Sequence, residues 1–124
     1  MLECTTLKDL MKRNGGLLQT KSKFEIRSLT SLSMIYTPGV GHVSEVIKQD
    51  KDQAIYLTNK ANSMLVLSDS SGFVNYEKSK WKNDYVWPYL EAKCVYYKTF
   101  TNIDAYPLIV DHKKLNSAAE LFEL

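Results

Sequence analysis

Residues 63–68, Ser63-Met64-Leu65-Val66-Leu67-Ser68, set four apolar side chains in a row, and the chain then runs into Ser68-Asp69-Ser70-Ser71-Gly72. A short apolar run bounded by turn-forming residues predicts a buried strand followed by a turn. Helical patterns surround it. Leu7, Leu10 and Met11 share a face within residues 4–14, with Thr5 or Thr6 to cap that helix and Gly15-Gly16 to stop it. Thr37-Pro38-Gly39 is a turn signal, because proline pre-sets φ and glycine tolerates positive φ. After it, Val40, Val43, Val46 and Ile47 fall on one helical face up to about Asp50. Leu115, Ala118, Ala119 and Phe122 have the spacing of a closing helix. Further strands are expected at Phe24–Arg27, Gly72–Tyr76, Cys94–Tyr97 and Leu108–Val110, with an undefined helical stretch on one side of Pro88. Helices mixed with strands predict an α/β fold: one domain over residues 1–124, with a mostly parallel sheet flanked by helices.

Composition narrows the classes without naming one. The chain has 124 residues, enough for one domain and a real core. Sixteen Lys and Arg stand against 14 Asp and Glu, for a net charge of +2, which makes no electrostatic case for nucleic acid or an anionic membrane. The longest apolar runs are far too short to span a bilayer. Met1-Leu2-Glu3-Cys4 brings an early acid and no apolar stretch, so no secretory signal is expected. Cys4 and Cys94 are neither a disulfide framework nor a zinc set, and read as reduced thiols in a cytoplasmic protein.

Several chemical motifs fail on their context. Gly39-Val40-Gly41-His42-Val43-Ser44 nearly spells a dinucleotide fingerprint, but serine replaces the last glycine and no strand precedes it. Those glycines are expected to start a helix, whose N-terminus suits a substrate carboxylate near residues 39–42. His42 and His112 stand far apart, and Asp104 and Asp111 have no third carboxylate placed to join them, so no self-contained metal site is expected. Cys94 follows Lys93, whose ammonium would activate a thiol, yet a small buried thiol is the commoner outcome in an apolar strand. Lys78-Ser79-Lys80-Trp81-Lys82, with Tyr85 and Trp87, has the composition of a stacking-and-phosphate surface. Glu77 and Asp84 dilute it, and a solvated loop whose aromatics cover the core is the expectation.

Four segments taken in order resemble malic enzymes. Ile35-Tyr36-Thr37-Pro38-Gly39-Val40-Gly41 looks like their Y-T-P-G-V segment. Thr58-Asn59-Lys60-Ala61-Asn62, with the apolar run and Ser68-Asp69, resembles T-x-K-x-N leading to S-D-G. Pro88-Tyr89-Leu90-Glu91-Ala92-Lys93-Cys94 is similar to P-V-M-E-G-K-A. Lys98 with Thr99 to Leu108 is similar to K-x-F-A-G-I-D-A-F-P-I, and residues 22–32 look like the lead-in of the short bacterial forms. The resemblance covers about residues 16–111.

It implies the N-terminal, malate-side domain of that family, normally followed by a Rossmann-type NAD(P) domain. It also implies oxidation of malate by hydride transfer to NAD(P)⁺ and decarboxylation to pyruvate, with Mg²⁺ or Mn²⁺ polarising the carbonyl. By resemblance Lys93 is the general base on the malate hydroxyl, and Tyr36 protonates the enolate carbon. Free lysine and tyrosine side chains titrate near about 10, so either role needs a site that shifts them.

Three departures from the family pattern shape the expectation. Thirteen residues follow Asp111, whereas a dinucleotide-binding unit takes about 30. The family's metal-binding Glu-Asp pair falls beyond the last residue. The family's glycine-rich stretch is replaced by Val74 to Lys82, its S-D-G glycine by Ser70 and its E-G-K glycine by Ala92. No cofactor or metal site is therefore expected within this chain, and the isolated chain is expected to be inactive. Two readings stay open. In one, the chain supplies Tyr36 and Lys93 to a cleft completed by a separate NAD-binding chain. In the other, it is a non-catalytic module for carboxylate binding or oligomerisation, or a degenerate remnant. Expected partners are malate or a similar dicarboxylate and a second copy, with no nucleic acid and no membrane.

Overall fold

The computed structural model describes residues 6–72 and 84–110. Its elements run α1 (Leu7–Asn14), α2 (Leu29–Ile35), α3 (Gly39–Gln49), α4 (Gln53–Leu57), a 3₁₀ turn (Asn59–Asn62), β1 (Ser63–Ser68), α5 (Trp87–Thr101) and β2 (Asp104–Ile109). They gather into two compact units. One joins residues up to Leu18 to those from Met64 onward, and the other is Gln19–Ser63.

The first unit is built on a β1–α5–β2 crossover. The two strands are neighbours in a parallel sheet, and the Val110 N–H closes its end by donating to the Ser68 carbonyl at 3.0 Å. Pro107 lies within β2, where it has no N–H to give a further strand. α5 begins with Pro88 in its first turn, where a missing N–H costs nothing. It ends at Asn102, which adopts φ +58 and donates its N–H to the Lys98 carbonyl at 3.2 Å. Lys98 Nζ then reaches Asp104 Oδ1 at 2.8 Å, tying the helix end to the start of β2. The core is Val66, Val86, Leu90, Cys94 and Ala105, with Leu18, Met64, Tyr85, Tyr97 and Ile109 packed around it. α1 precedes this core. Thr6 caps it, accepting the Asp9 N–H at 3.3 Å, and Gly15 at φ +70 with Gly16 at φ +104 turns the chain out of it.

The second unit is helical. Ser28 and Ser31 form a reciprocal capping box at the start of α2 (Ser31 N–H to Ser28 Oγ at 3.1 Å, Ser28 N–H to Ser31 Oγ at 2.9 Å). A cis Thr37–Pro38 bond leads into α3. Between α3 and α4, Asp50 accepts from the Gln53 amide at 3.0 Å and the Asp52 N–H at 3.1 Å. Those two bonds, the side-chain one first, hold its carboxyl below the usual range. Thr58 bridges to the 3₁₀ turn.

The α/β class and the parallel sheet agree with the sequence. So do α1, the strand at 63–68 and the helix following Pro38. Other expectations fail. Phe24–Arg27 forms no strand: Ser22 Oγ takes up the Phe24 N–H at 3.1 Å, Ser31 Oγ takes the Arg27 N–H at 2.9 Å, and Arg27 pairs with Glu25. Side chains satisfy that backbone where a partner strand would otherwise be needed. Cys94–Tyr97 is not a strand but the centre of α5. Leu90, Cys94 and Tyr97 recur at i, i+4 and i+7 and all face the core, so burial at helical spacing overrides the β preference of Val95, Tyr96 and Tyr97. β1 is half-buried, with Val66 inward and Leu65 58% exposed. α2 and α4 had no forecast. The strand expected at Gly72–Tyr76 (from residue 73 on) and the helix at 115–122 lie outside the described residues.

Candidate functional site

Tyr36 closes α2. Its N–H donates to the Leu32 carbonyl at 2.8 Å, and its own carbonyl accepts from the Val40 N–H at 2.8 Å. The backbone is thus held from both sides while the ring projects, 67% exposed. Gly39 sets the approach behind it. A Cβ built at residue 39 would overlap the Met34 carbonyl oxygen and lie 2.9 Å from Met34 Cα, so only glycine lets α3 start this close to α2.

Lys93 lies in the middle of α5, in the other unit, and is exposed. Helical spacing puts Tyr89, Tyr96 and Phe100 on its face, away from Leu90 and Cys94. Tyr96 and Phe100 contact each other with ring centroids 4.7 Å apart. Lys93 is therefore the single cation in an exposed aromatic stripe.

Glu91, two residues earlier, is the one carboxylate of α5, and its role is not evident from the sequence. Its Oε2 accepts the Leu17 N–H at 3.0 Å and its Oε1 accepts the Trp87 indole N–H at 3.3 Å. A Cβ at Gly16 would come within 3.0 Å of the same carboxylate. Glu91 thus clips the Gly16–Leu17 backbone to α5. The i, i+4 spacing of Trp87 and Glu91 was the available signal, while the contact across 74 positions had none.

Cys94 is fully buried. Burial, and secondarily the charge of Glu91, pushes its thiol up from the ordinary value, so it stays protonated and is a core residue rather than a nucleophile. His42 rides on α3, and Asp104 is bound to Lys98. Asp111, His112 and the basic stretch 78–82 lie outside the described residues. Among the described residues, no three His, Cys, Asp or Glu side chains converge on a point that would hold a metal.

The turn after β1 carries one more departure. Ser70 has φ +64, is fully buried, and its Oγ has no hydrogen-bond partner among the described residues. A left-handed backbone explains why the resembling segment has glycine there. Ser70→Gly removes the steric cost of a side chain in that conformation and the unmet hydroxyl together. It is expected to raise stability by about 1 kcal/mol, read as a higher urea midpoint at unchanged slope.

No protein-family profile matches this chain. Individual proteins do. It is 34% identical over 100 residues to an NAD-dependent malic enzyme of Geobacillus stearothermophilus, a match spanning 80% of this chain and 20% of that protein. It is 30% identical over 115 residues to a bifunctional malic/malolactic enzyme of Bacillus subtilis (strain 168), covering 93% of this chain and 28% of that one. Among solved structures, an NAD-dependent malic enzyme from Thermotoga maritima shares the fold with a TM-score of 0.76 at 23% identity, over 95% of this chain and 32% of the other. The Entamoeba histolytica malic enzyme gives 0.74 at 23% identity, over 94% and 24%. The chain spans less than a third of the length of each.

Proposed function

Because this chain is homologous to malic enzymes over most of its own length, we propose that it acts as one malate-side domain of such an enzyme. The observation that supports this reading is the 30–34% identity spread over 80–93% of the chain, rather than confined to one motif. Lys93 removes the proton from the malate hydroxyl, and Tyr36 returns a proton to the carbon left after decarboxylation. Both side chains stand exposed on well-anchored backbone, Tyr36 at a helix end and Lys93 at mid-helix. Each is free to meet a substrate, and each needs a covering surface to exclude water from it.

In a complete enzyme of this kind a bound NAD(P)⁺ would supply a hydride acceptor, and a bound Mg²⁺ or Mn²⁺ would supply Lewis-acid chemistry toward the carbonyl. Among the described residues no three His, Cys, Asp or Glu side chains converge to hold that metal. Malate or a similar dicarboxylate is the small ligand.

Reconstitution tests this. The chain plus a Rossmann-type malic enzyme fragment, malate, Mn²⁺ and NAD⁺ should produce NADH. Lys93→Ala should lower turnover by about 10²-fold or more, with a smaller change in KM. Tyr36→Phe should slow pyruvate release while sparing malate oxidation. An unchanged rate in Lys93→Ala sinks the catalytic assignment. Calorimetric binding of malate by a chain that no partner activates would favour the non-catalytic module instead.

A further inference from the structure

α5 carries apolar side chains on every side. Leu90 and Cys94 are its fully buried residues, while Trp87, Val95, Tyr96 and Phe100 project elsewhere around the helix and stand exposed. Hydrophobic burial therefore gives only a weak preference for which face meets the core. The line of Leu90, Cys94 and Tyr97, at i, i+4 and i+7, is a narrow ridge on which a helix can roll.

Polar ties settle the roll, and they share one flank. At about 100° per residue, Trp87, Glu91 and Lys98 fall within about 40° of one another on one side of that ridge, and Lys93 falls on the other side. Near the start of the helix, Glu91 accepts the Leu17 N–H at 3.0 Å and the Trp87 indole N–H at 3.3 Å. Near its end, Lys98 meets Asp104 at 2.8 Å. The Lys98 pair is half-exposed, so water screens it. The Glu91 tie is a part-buried carboxylate on a backbone N–H, which is the stronger kind of bond. Gly16 leaves room for it, since a Cβ there would stand 3.0 Å from Glu91 Oε1.

We propose that Glu91 is a positioning residue for Lys93: by holding one flank of α5 to the Gly16–Leu17 backbone, it fixes the roll that aims the lysine on the opposite flank. At a radius of about 6 Å, a roll of about 10° carries a side chain through about 1 Å. A misplacement of that size is enough to cost about 10²-fold in rate. The catalytic consequence rests on Lys93 being the base, as proposed above. The setting of the helix does not, and it is tested without turnover.

Magnetic resonance on the 124-residue chain tests the roll. In Glu91→Ala, the Overhauser contacts of Leu90 and Cys94 with Val66 and Ala105 should weaken while the α5 amides keep their slow exchange. Unchanged contacts overturn the proposal. So does loss of amide protection along the whole of α5, which would make Glu91 a general stabiliser. Should Glu91→Ala fail to fold, Glu91→Gln, which keeps one acceptor oxygen, should show the same weakening to a smaller degree, and unchanged contacts there overturn the proposal equally. In the reconstituted assay, Glu91→Ala should lower kcat about 10-fold or more with KM little changed. Added to Lys93→Ala it should cost nothing further, because it acts through that lysine, and an additive loss refutes this. A wild-type rate in Lys93→Ala removes the catalytic reading instead, and the resonance result then decides the roll by itself.

Discussion

Gly39→Ala is expected to unfold the α2–α3 corner. The added methyl would sit on the Met34 carbonyl oxygen, with Met34 Cα 2.9 Å away. These are backbone atoms, so no rotamer change relieves the overlap, and the two helices must separate. The cost is on the order of 3 kcal/mol or more, in the range that marks a steric conflict rather than a lost contact. The damage should be local. Amides of α2 and α3 should exchange faster and helical ellipticity should fall, while the core around Leu90 keeps its protection. Gly41 is the control. It also lies in α3, but nothing stands within 4 Å of a Cβ there. Gly41→Ala should therefore stabilise the helix by up to about 1 kcal/mol, the ordinary preference for alanine over glycine. Equal effects at the two positions would refute the close approach.

Leu90→Ala should have a comparably large effect on the other unit. Leu90 is 1% exposed and sits among Val66, Val86, Cys94 and Ala105. Truncating such a residue removes transfer free energy and leaves a cavity, about 2–5 kcal/mol together. Few residues share that core, and a small domain has only about 5–15 kcal/mol in total. The variant is expected to show a much lower urea midpoint, with partial unfolding at 37 °C. Leu90→Met keeps the volume and should cost less than about 1.5 kcal/mol. Phe100→Ala removes a larger ring from the same helix, but that ring is 71% exposed, so the change should be small by comparison. A Leu90→Ala variant as stable as Phe100→Ala would mean that the face of α5 is assigned the wrong way round.

Some positions in this chain are legible without coordinates because their constraint is local. Thr6 and Gly15 bound α1 through a side-chain cap and a positive φ, and both features belong to neighbouring residues. Pro38 and Gly39 announce the start of α3 in the same way. The run at 63–68 reads as a strand because a short apolar run bounded by turn formers favours one. Ser70 shows the same logic from the other side: the resemblance marks it as a lost glycine, and its φ of +64 gives the reason.

Other positions were misread for a common reason. Phe24–Arg27 alternates like a strand, but the nearby serines answer its backbone groups. Val95, Tyr96 and Tyr97 prefer strands in isolation, and α5 outvotes them because Leu90 and Cys94 must both reach the core. Glu91 gave no sign of holding Leu17, since a contact spanning 74 positions leaves no periodicity to read.

The order of amino acids by itself determined the α/β class, the capped ends of α1, the turn before α3, the first strand, and the likeness to malic enzymes carried by the segments around Tyr36 and Lys93. Tertiary structure alone decided that residues 94–97 are helical, that Leu65 on β1 is exposed, that Glu91 is a clip, and that no residue of α2, α3 or α4 is fully buried. The division follows from the range of the forces. Caps, prolines and positive-φ turns act over a few bonds and are written next to one another in the chain. Burial depends on which distant surfaces meet, and that is known only once the chain has folded.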